Sequence, residues 1–239
     1  LLASDASGVL RHINAGSRDL PAEAYALILE HLNPYLEAAR SARSDMRTAF
    51  DAFARFRVLA ATREGVRGVA GLNSRMEQHA RMRIGASAIG PWYAGRPVLI
   101  TRNDPQLSIY NGDIGLTLPD ENGELHVWFE TETGQYRRIP TAQLPAHETA
   151  FAMTVHKAQG SEFDHVIVVL PNQTNSRVIG RELLYTAVTR ARRSVTVCAS
   201  DEVVRHAVQQ RSTRAGGLAA RLRERRAHAA SPESSQQIT

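Results

Sequence analysis

The chain has 239 residues, 43% of them hydrophobic and 22% charged, enough apolar mass for one large globular core or two modest ones. Its 29 Lys+Arg against 24 Asp+Glu leave a net charge of +5, a pointer toward a polyanionic partner that many ordinary soluble proteins share. One cysteine, Cys198, excludes an internal disulfide and a Cys-based zinc site and fits a reducing cytoplasm, and no apolar run approaches the roughly 20 residues of a membrane span. The start Leu1-Leu2-Ala3-Ser4-Asp5 has neither a basic leader region nor a methionine, and reads as part of something longer.

In chain order, residues 1–20 are polar and contain Gly and Ser, and no element is predicted there. Pro21 opens a helix at its first turn, in which Leu27, Ile28, Leu32, Tyr35 and Leu36 keep helical spacing, with an interruption at Asn33-Pro34. A second helix over residues 45–56 turns Met46, Ala49, Phe50, Phe53 and Ala54 to one face. Residues 56–61 read as a strand, which hands over through a turn holding Arg63 and Gly65 to a helix carrying Leu72, Met76 and His79. From residue 95 to about 145 the texture changes to short strands at 96–101, 107–110, 113–118, 125–129 and 136–139, with Asn-Asp-Pro and Asn-Gly turn signals between them. That pattern predicts a small SH3-like β-barrel inserted into an α/β domain.

Residues 149–155 read as a strand, and 166–170 form an uninterrupted apolar run suited to a strand buried on both faces. A helix over 180–193 carries Leu183, Leu184, Ala187, Val188 and Ala191 as its stripe and sets Thr186 and Arg190 one turn apart. A strand over 194–199 and a helix over 201–210 follow. Residues 211–226 are an arginine-rich helical extension, either a solvated face or an arm that contacts phosphate or a partner, and 229–239 read as a disordered tail.

Between the strands at 149–155 and 166–170 lies a polar turn, residues 154–163, holding Thr154, His156, Lys157, Gln159, Gly160, Ser161 and Glu162. In an open α/β sheet ligands bind at the carboxyl ends of the strands, so this turn is the leading site candidate. Lys157 is the one lysine in the chain. Arginine drift in a GC-rich coding sequence accounts for that, and so does a need for a compact ammonium where a guanidinium fork would not fit. His156 followed by Glu162 lacks zinc spacing, the other histidines are scattered, and no metal site is expected.

These residues carry a resemblance. The stretch 154–163 resembles motif V of superfamily 1 helicases, 184–192 resembles motif VI, and 63–73 resembles the motif IV region. With 95–113 they are similar to the carboxyl-terminal part of the alpha subunits of exodeoxyribonuclease V, over about residues 20–200. The resemblance implies an α/β fold: a RecA-like, P-loop NTPase-type parallel sheet domain with an inserted SH3-like β-barrel. The implied division is 1–94 for the first part of the RecA-like domain, 95–145 for the barrel, 146–212 for the rest, and 213–239 for the basic extension and tail. It implies the motor half of a 5′-to-3′ DNA helicase acting in double-strand break repair and recombination.

No Gly-x-x-x-x-Gly-Lys-[Ser/Thr] occurs, and no apolar strand ends in paired acids of the kind that hold magnesium. ATP and Mg²⁺ are therefore expected in an intact parent and not on this stretch alone, which is expected to be inactive as an ATPase. By the resemblance, Arg190 and, second, Arg63 are the catalytic arginines toward the γ-phosphate, and Gly160 and Glu162 lie with Arg190 on the nucleotide side. Thr154, His156 and Lys157 face single-stranded DNA. The implied partners are that DNA, an amino-terminal RecA-like domain, and the beta and gamma subunits, in the bacterial cytoplasm and with no membrane. Two other readings stay open: the same half of a conjugative relaxase-helicase, and a non-enzymatic module for DNA binding and subunit docking.

Overall fold

The computed structural model describes residues 9–42, 45–85, 90–174, 176 and 178–210; the arginine-rich stretch 211–226 and the tail 229–239 lie outside the described residues. Five parallel strands form the first sheet: β1 (Leu10–Asn14), β2 (Phe56–Ala60), β8 (Ala152–Thr154), β9 (Phe163–Val169) and β10 (Ala191–Ala199). Their order across the sheet is β1-β10-β9-β2-β8. The apolar runs explain why this sheet is central. In β9, Ile167 and Val169 face one core while Val166 and Val168 face another, and Val58 and Ala60 of β2 alternate with Leu59 in the same way. A strand buried on both faces needs no polar alternation.

The first core lies under α1 (Ala22–Arg40), α2 (Met46–Ala54) and α3 (Val69–Ile84), the second under α4 (Arg181–Val188) and α5 (Asp201–Gln209). Helix starts are set locally. Asp45 accepts the Thr48 N–H at 3.0 Å to begin α2, and Ser200 accepts the Val203 N–H at 3.2 Å to begin α5, whose first turn holds Asp201 and Glu202. Cys198 is fully buried and its thiol is pushed up to about 12 by burial, as a small packed hydrophobe requires.

A second, antiparallel sheet is formed by β3 (Arg96–Ile100), β4 (Ile114–Pro119), β5 (Leu125–Glu130), β6 (Tyr136–Pro140) and β7 (His147–Thr149), in the order β6-β5-β4-β3-β7. It packs on the first two helices: Tyr35 donates its hydroxyl to the Gly95 carbonyl at 2.9 Å, and the Phe50 and Tyr136 rings lie 4.8 Å apart.

Several sequence expectations need correction. Residues 10–14 form an edge strand, β1, where none was predicted. α1 runs through Pro34 unbroken: proline removes one N–H donor, but Tyr35, Leu36 and Ala39 beyond it are all buried, and that packing outweighs one lost bond. Asn33 is no stop either, because its Oδ1 meets the His79 ring at 2.8 Å. Residues 107–110 make one isolated bridge, Asp104 to Ile109, and the fifth strand of the antiparallel sheet is β7 instead. The predicted strand at 149–155 is therefore two: the chain ends β7 in one sheet, passes the buried Ala150 and Phe151, and begins β8 in the other. α4 stops at Val188 and β10 starts at Ala191, earlier than the sequence reading put the strand.

Candidate nucleotide and nucleic-acid interface

The turn over residues 154–163 leaves the carboxyl end of β8 and feeds β9, and its two ends meet different groups. At the first end, Thr154 Oγ1 accepts the Lys157 N–H at 3.2 Å, so the hydroxyl caps the turn that presents the lysine. The Lys157 ammonium reaches Glu148 Oε1 at 2.7 Å, and Arg63, three residues beyond the end of β2, reaches Glu148 Oε2 at 3.0 Å. One carboxylate thus bridges two cations. His156 stands exposed beside them.

At the second end, the exposed Gly160 adopts φ +88°, and a Cβ there would meet nothing within 4 Å, so the glycine answers a backbone conformation and not a close approach. Arg190 lies over this end. Its Nη1 donates to the Ser161 carbonyl at 3.2 Å, its Nε to the Thr186 carbonyl at 3.1 Å and its Nη2 to Thr189 Oγ1 at 3.2 Å. Glu162 is held by Arg192 at 3.0 Å. The structure therefore groups Arg190 with Gly160 and Glu162, and groups Arg63 with Thr154 and Lys157.

Two further residues of the motif IV-like stretch hold this edge in place. Asn73 Nδ2 donates to the carbonyls of Thr149 and Ala152 at 2.8 and 3.0 Å, and its Oδ1 accepts the Ala152 N–H at 2.7 Å, which fixes the crossing from β7 to β8. Arg67 is 5% exposed and donates to the carbonyls of Ala15, Ser17, Arg18, Asp19 and Leu170, tying the ends of β1 and β9 together. Burial pulls its pKa down. The turn that carries it is tight: a Cβ on Gly68 would lie 2.2 Å from the Glu64 carbonyl oxygen.

Sequence reasoning missed Glu148, Asn73 and Arg67 as site residues, and gave Ser161, though within the candidate turn, no role of its own. For Asn73 a signal existed, since it shares helical spacing with the buried Met76 and Ala80, and a polar group on an apolar stripe has to find a partner. Glu148 had none, because it is brought to Lys157 by the return from the antiparallel sheet.

The groups present fit one side of a nucleotide. Arg190 is bonded to backbone carbonyls and a hydroxyl, weaker acceptors than a phosphoryl oxygen, and Gly160 is exposed. A cation has less to hold it here. Asp120, Glu124 and His126 gather at a turn of the antiparallel sheet, but Asp120 Oδ1 already accepts the N–H groups of Asn122 and Glu124 at 2.9 Å each.

Residues 149–198 match the family described as the UvrD-like helicase C-terminal domain. The RecBCD enzyme subunit RecD of Mycobacterium tuberculosis is 42% identical over 197 residues, which cover 82% of this chain and 33% of that protein. The chain belongs to the RecD family. It spans about a third of the length of that RecD relative. The ATP-dependent RecD2 DNA helicase of Deinococcus radiodurans is 39% identical over 98 residues, covering 41% of this chain and 13% of that one. Among solved structures, the Pif1 helicase from Bacteroides in complex with ADP-AlF3 and ssDNA is 16% identical over 89% of this chain and 55% of that chain, at a TM-score of 0.43. Among the described residues no helix is long and apolar enough to cross a membrane.

Proposed function

We propose that this chain is the carboxyl-terminal half of an ATP-dependent 5′-to-3′ DNA helicase motor, within the alpha subunit of exodeoxyribonuclease V. The reading rests above all on the turn at 154–163, whose one end gathers Arg190, Gly160 and Glu162 and whose other end presents Thr154, His156 and Lys157. A continuous turn of about ten residues, bonded by Arg190 at one end and carrying strand-facing groups at the other, links the two ligands through contiguous backbone.

In this account a second RecA-like half supplies the phosphate loop and the magnesium carboxylate. ATP with Mg²⁺ supplies the charge that draws the halves together when bound. With nucleotide bound, Arg190 would exchange the Ser161 carbonyl for phosphoryl oxygens, the Gly160–Glu162 end would follow, and the Thr154–Lys157 end would move relative to the single strand. The partners are single-stranded DNA, the amino-terminal RecA-like half, and the beta and gamma subunits, in the bacterial cytoplasm. The division at residues 1–94, 95–145 and 146–212 is part of this proposal, with the antiparallel sheet as the inserted SH3-like unit.

Lys157→Ala tests the strand-facing end. Titrating a labelled oligonucleotide at several salt concentrations should show weaker binding and a salt slope of log K reduced by about 0.7, the value for one phosphate contact on a single strand. Lys157→Arg should restore the slope and only part of the affinity, since a planar guanidinium reaches differently. An unchanged slope in the alanine variant removes Lys157 from the DNA contacts.

A further inference from the structure

Glu148 is the residue that neither the motifs nor the fold explain. It sits on β7, opposite Leu99 of β3, and so is anchored in the antiparallel sheet, while its two cations are anchored beyond the carboxyl ends of β2 and β8 in the parallel sheet. Its two oxygens are divided between Lys157 at 2.7 Å and Arg63 at 3.0 Å. All three side chains are reachable from solvent: Glu148 is 31% exposed, Lys157 28% and Arg63 63%. A carboxylate with one oxygen on each of two cations has the charge and the forked shape of a phosphodiester with its two non-bridging oxygens.

We propose that Glu148 is a stand-in for a DNA backbone phosphate, and that Arg63 and Lys157 together form a phosphate site which the single strand enters by displacing it. This deepens the function proposed above, on which it rests, and it puts Arg63 on the strand-facing side instead of the nucleotide side. The two cations carry one net positive charge with Glu148 in place, and a phosphate exchanged for the carboxylate leaves that balance unchanged. The exchange is therefore a competition between two anions of equal charge, tuned by geometry. Glu64 and Glu77 line the cleft beyond Arg63, so an incoming phosphate is favoured from the Lys157 side, where the strand-facing Thr154 and His156 stand. Because Glu148 belongs to the antiparallel sheet, the exchange releases one tie between the two sheets when DNA binds and restores it when DNA leaves.

The test uses labelled oligo(dT) and a fluorescent ATP analogue, titrated into the unmodified chain and its variants, with a thermal melt of each. Glu148→Gln should bind oligo(dT) about three- to tenfold more tightly at low salt, the scale of one or two partly exposed ion pairs, and Glu148→Ala should do the same. Glu132→Gln, which removes an equal charge from an exposed site elsewhere, should leave affinity within about twofold. Arg63→Ala should lower the salt slope by about 0.7, as Lys157→Ala does, and should cut the gain from Glu148→Gln when the two are combined.

The proposal is overturned if the folded Glu148 variants bind oligo(dT) no more tightly, if Glu132→Gln tightens binding as much, or if the ATP analogue gains affinity in place of the oligonucleotide. Arg63 is exposed enough to replace without unfolding, so an unchanged slope in Arg63→Ala overturns it whatever the Glu148 variants do. A slope lost in Lys157→Ala but not in Arg63→Ala leaves the proposed function standing and removes this site. A slope lost in neither removes this site and takes Lys157 off the DNA contacts as well.

Discussion

Arg190→Ala in the assembled motor, this chain together with a half that carries the phosphate loop, should lower ATP turnover by about 10³- to 10⁵-fold, the range for an arginine that meets a transferring phosphoryl group. The reason lies in what Arg190 touches without nucleotide: the carbonyls of Ser161 and Thr186 and the hydroxyl of Thr189. These neutral acceptors hold the fork in place, and charge developing on equatorial phosphoryl oxygens binds it more strongly, so the arginine acts in the transition state more than in the ground state. Single-strand affinity should change by less than about threefold, because Arg190 lies at the opposite end of the turn from Thr154 and Lys157. Arg190→Lys keeps the charge without the fork and should recover little of the rate. A turnover loss below about tenfold would move the role to another arginine.

The second large effect is on stability. Arg67→Met, close in size and unable to donate, should lower the unfolding free energy by about 3–5 kcal/mol, read as a shift in urea midpoint at constant slope. The five carbonyls that Arg67 serves come from the loop after β1 and from the end of β9, and the residue itself is 5% exposed. Removing the guanidinium leaves the buried carbonyls of Ala15 and Leu170 short of a donor, at about 1–3 kcal/mol for each that water cannot reach, while those of the exposed Ser17, Arg18 and Asp19 can turn to water. Arg67→Lys should recover part of the loss, since three donors on one point cannot span five acceptors. A loss under about 1 kcal/mol would mean that water replaces the guanidinium without cost.

Much of this was legible because the signals were local. The uninterrupted run in β9 read as a two-faced strand and is one, with its side chains divided between two cores. The turn at 154–163 was readable for the same reason, since its polar residues are contiguous. What escaped was set at long range. β1 is an edge strand whose partner, β10, lies at the far end of the chain, and its sequence Leu10-Arg11-His12-Ile13-Asn14 buries only Ile13. The break between β7 and β8 carries no Gly or Pro, and both its residues, Ala150 and Phe151, are buried, so the sequence runs through without a turn signal. The end of α4 was misplaced because helical spacing continues to Ala191, whereas Arg192 and Arg193 pair with Glu162 and Asp164, beside β9 and on it, and draw the chain into the sheet. Glu148 lay in the same blind spot: a carboxylate placed by one sheet and used by the other.

The central claim is that this chain supplies one face of a two-part motor. DNA-stimulated ATP hydrolysis, measured in multiple turnover with single-stranded DNA, tests it most directly when the chain is assayed alone and again joined to the phosphate-loop half of a RecD relative. The account predicts no hydrolysis above background from the chain alone and DNA-stimulated turnover from the joined protein, abolished by Arg190→Ala. Hydrolysis that follows the purified chain alone, or a joined protein whose turnover ignores both DNA and Arg190, would contradict it.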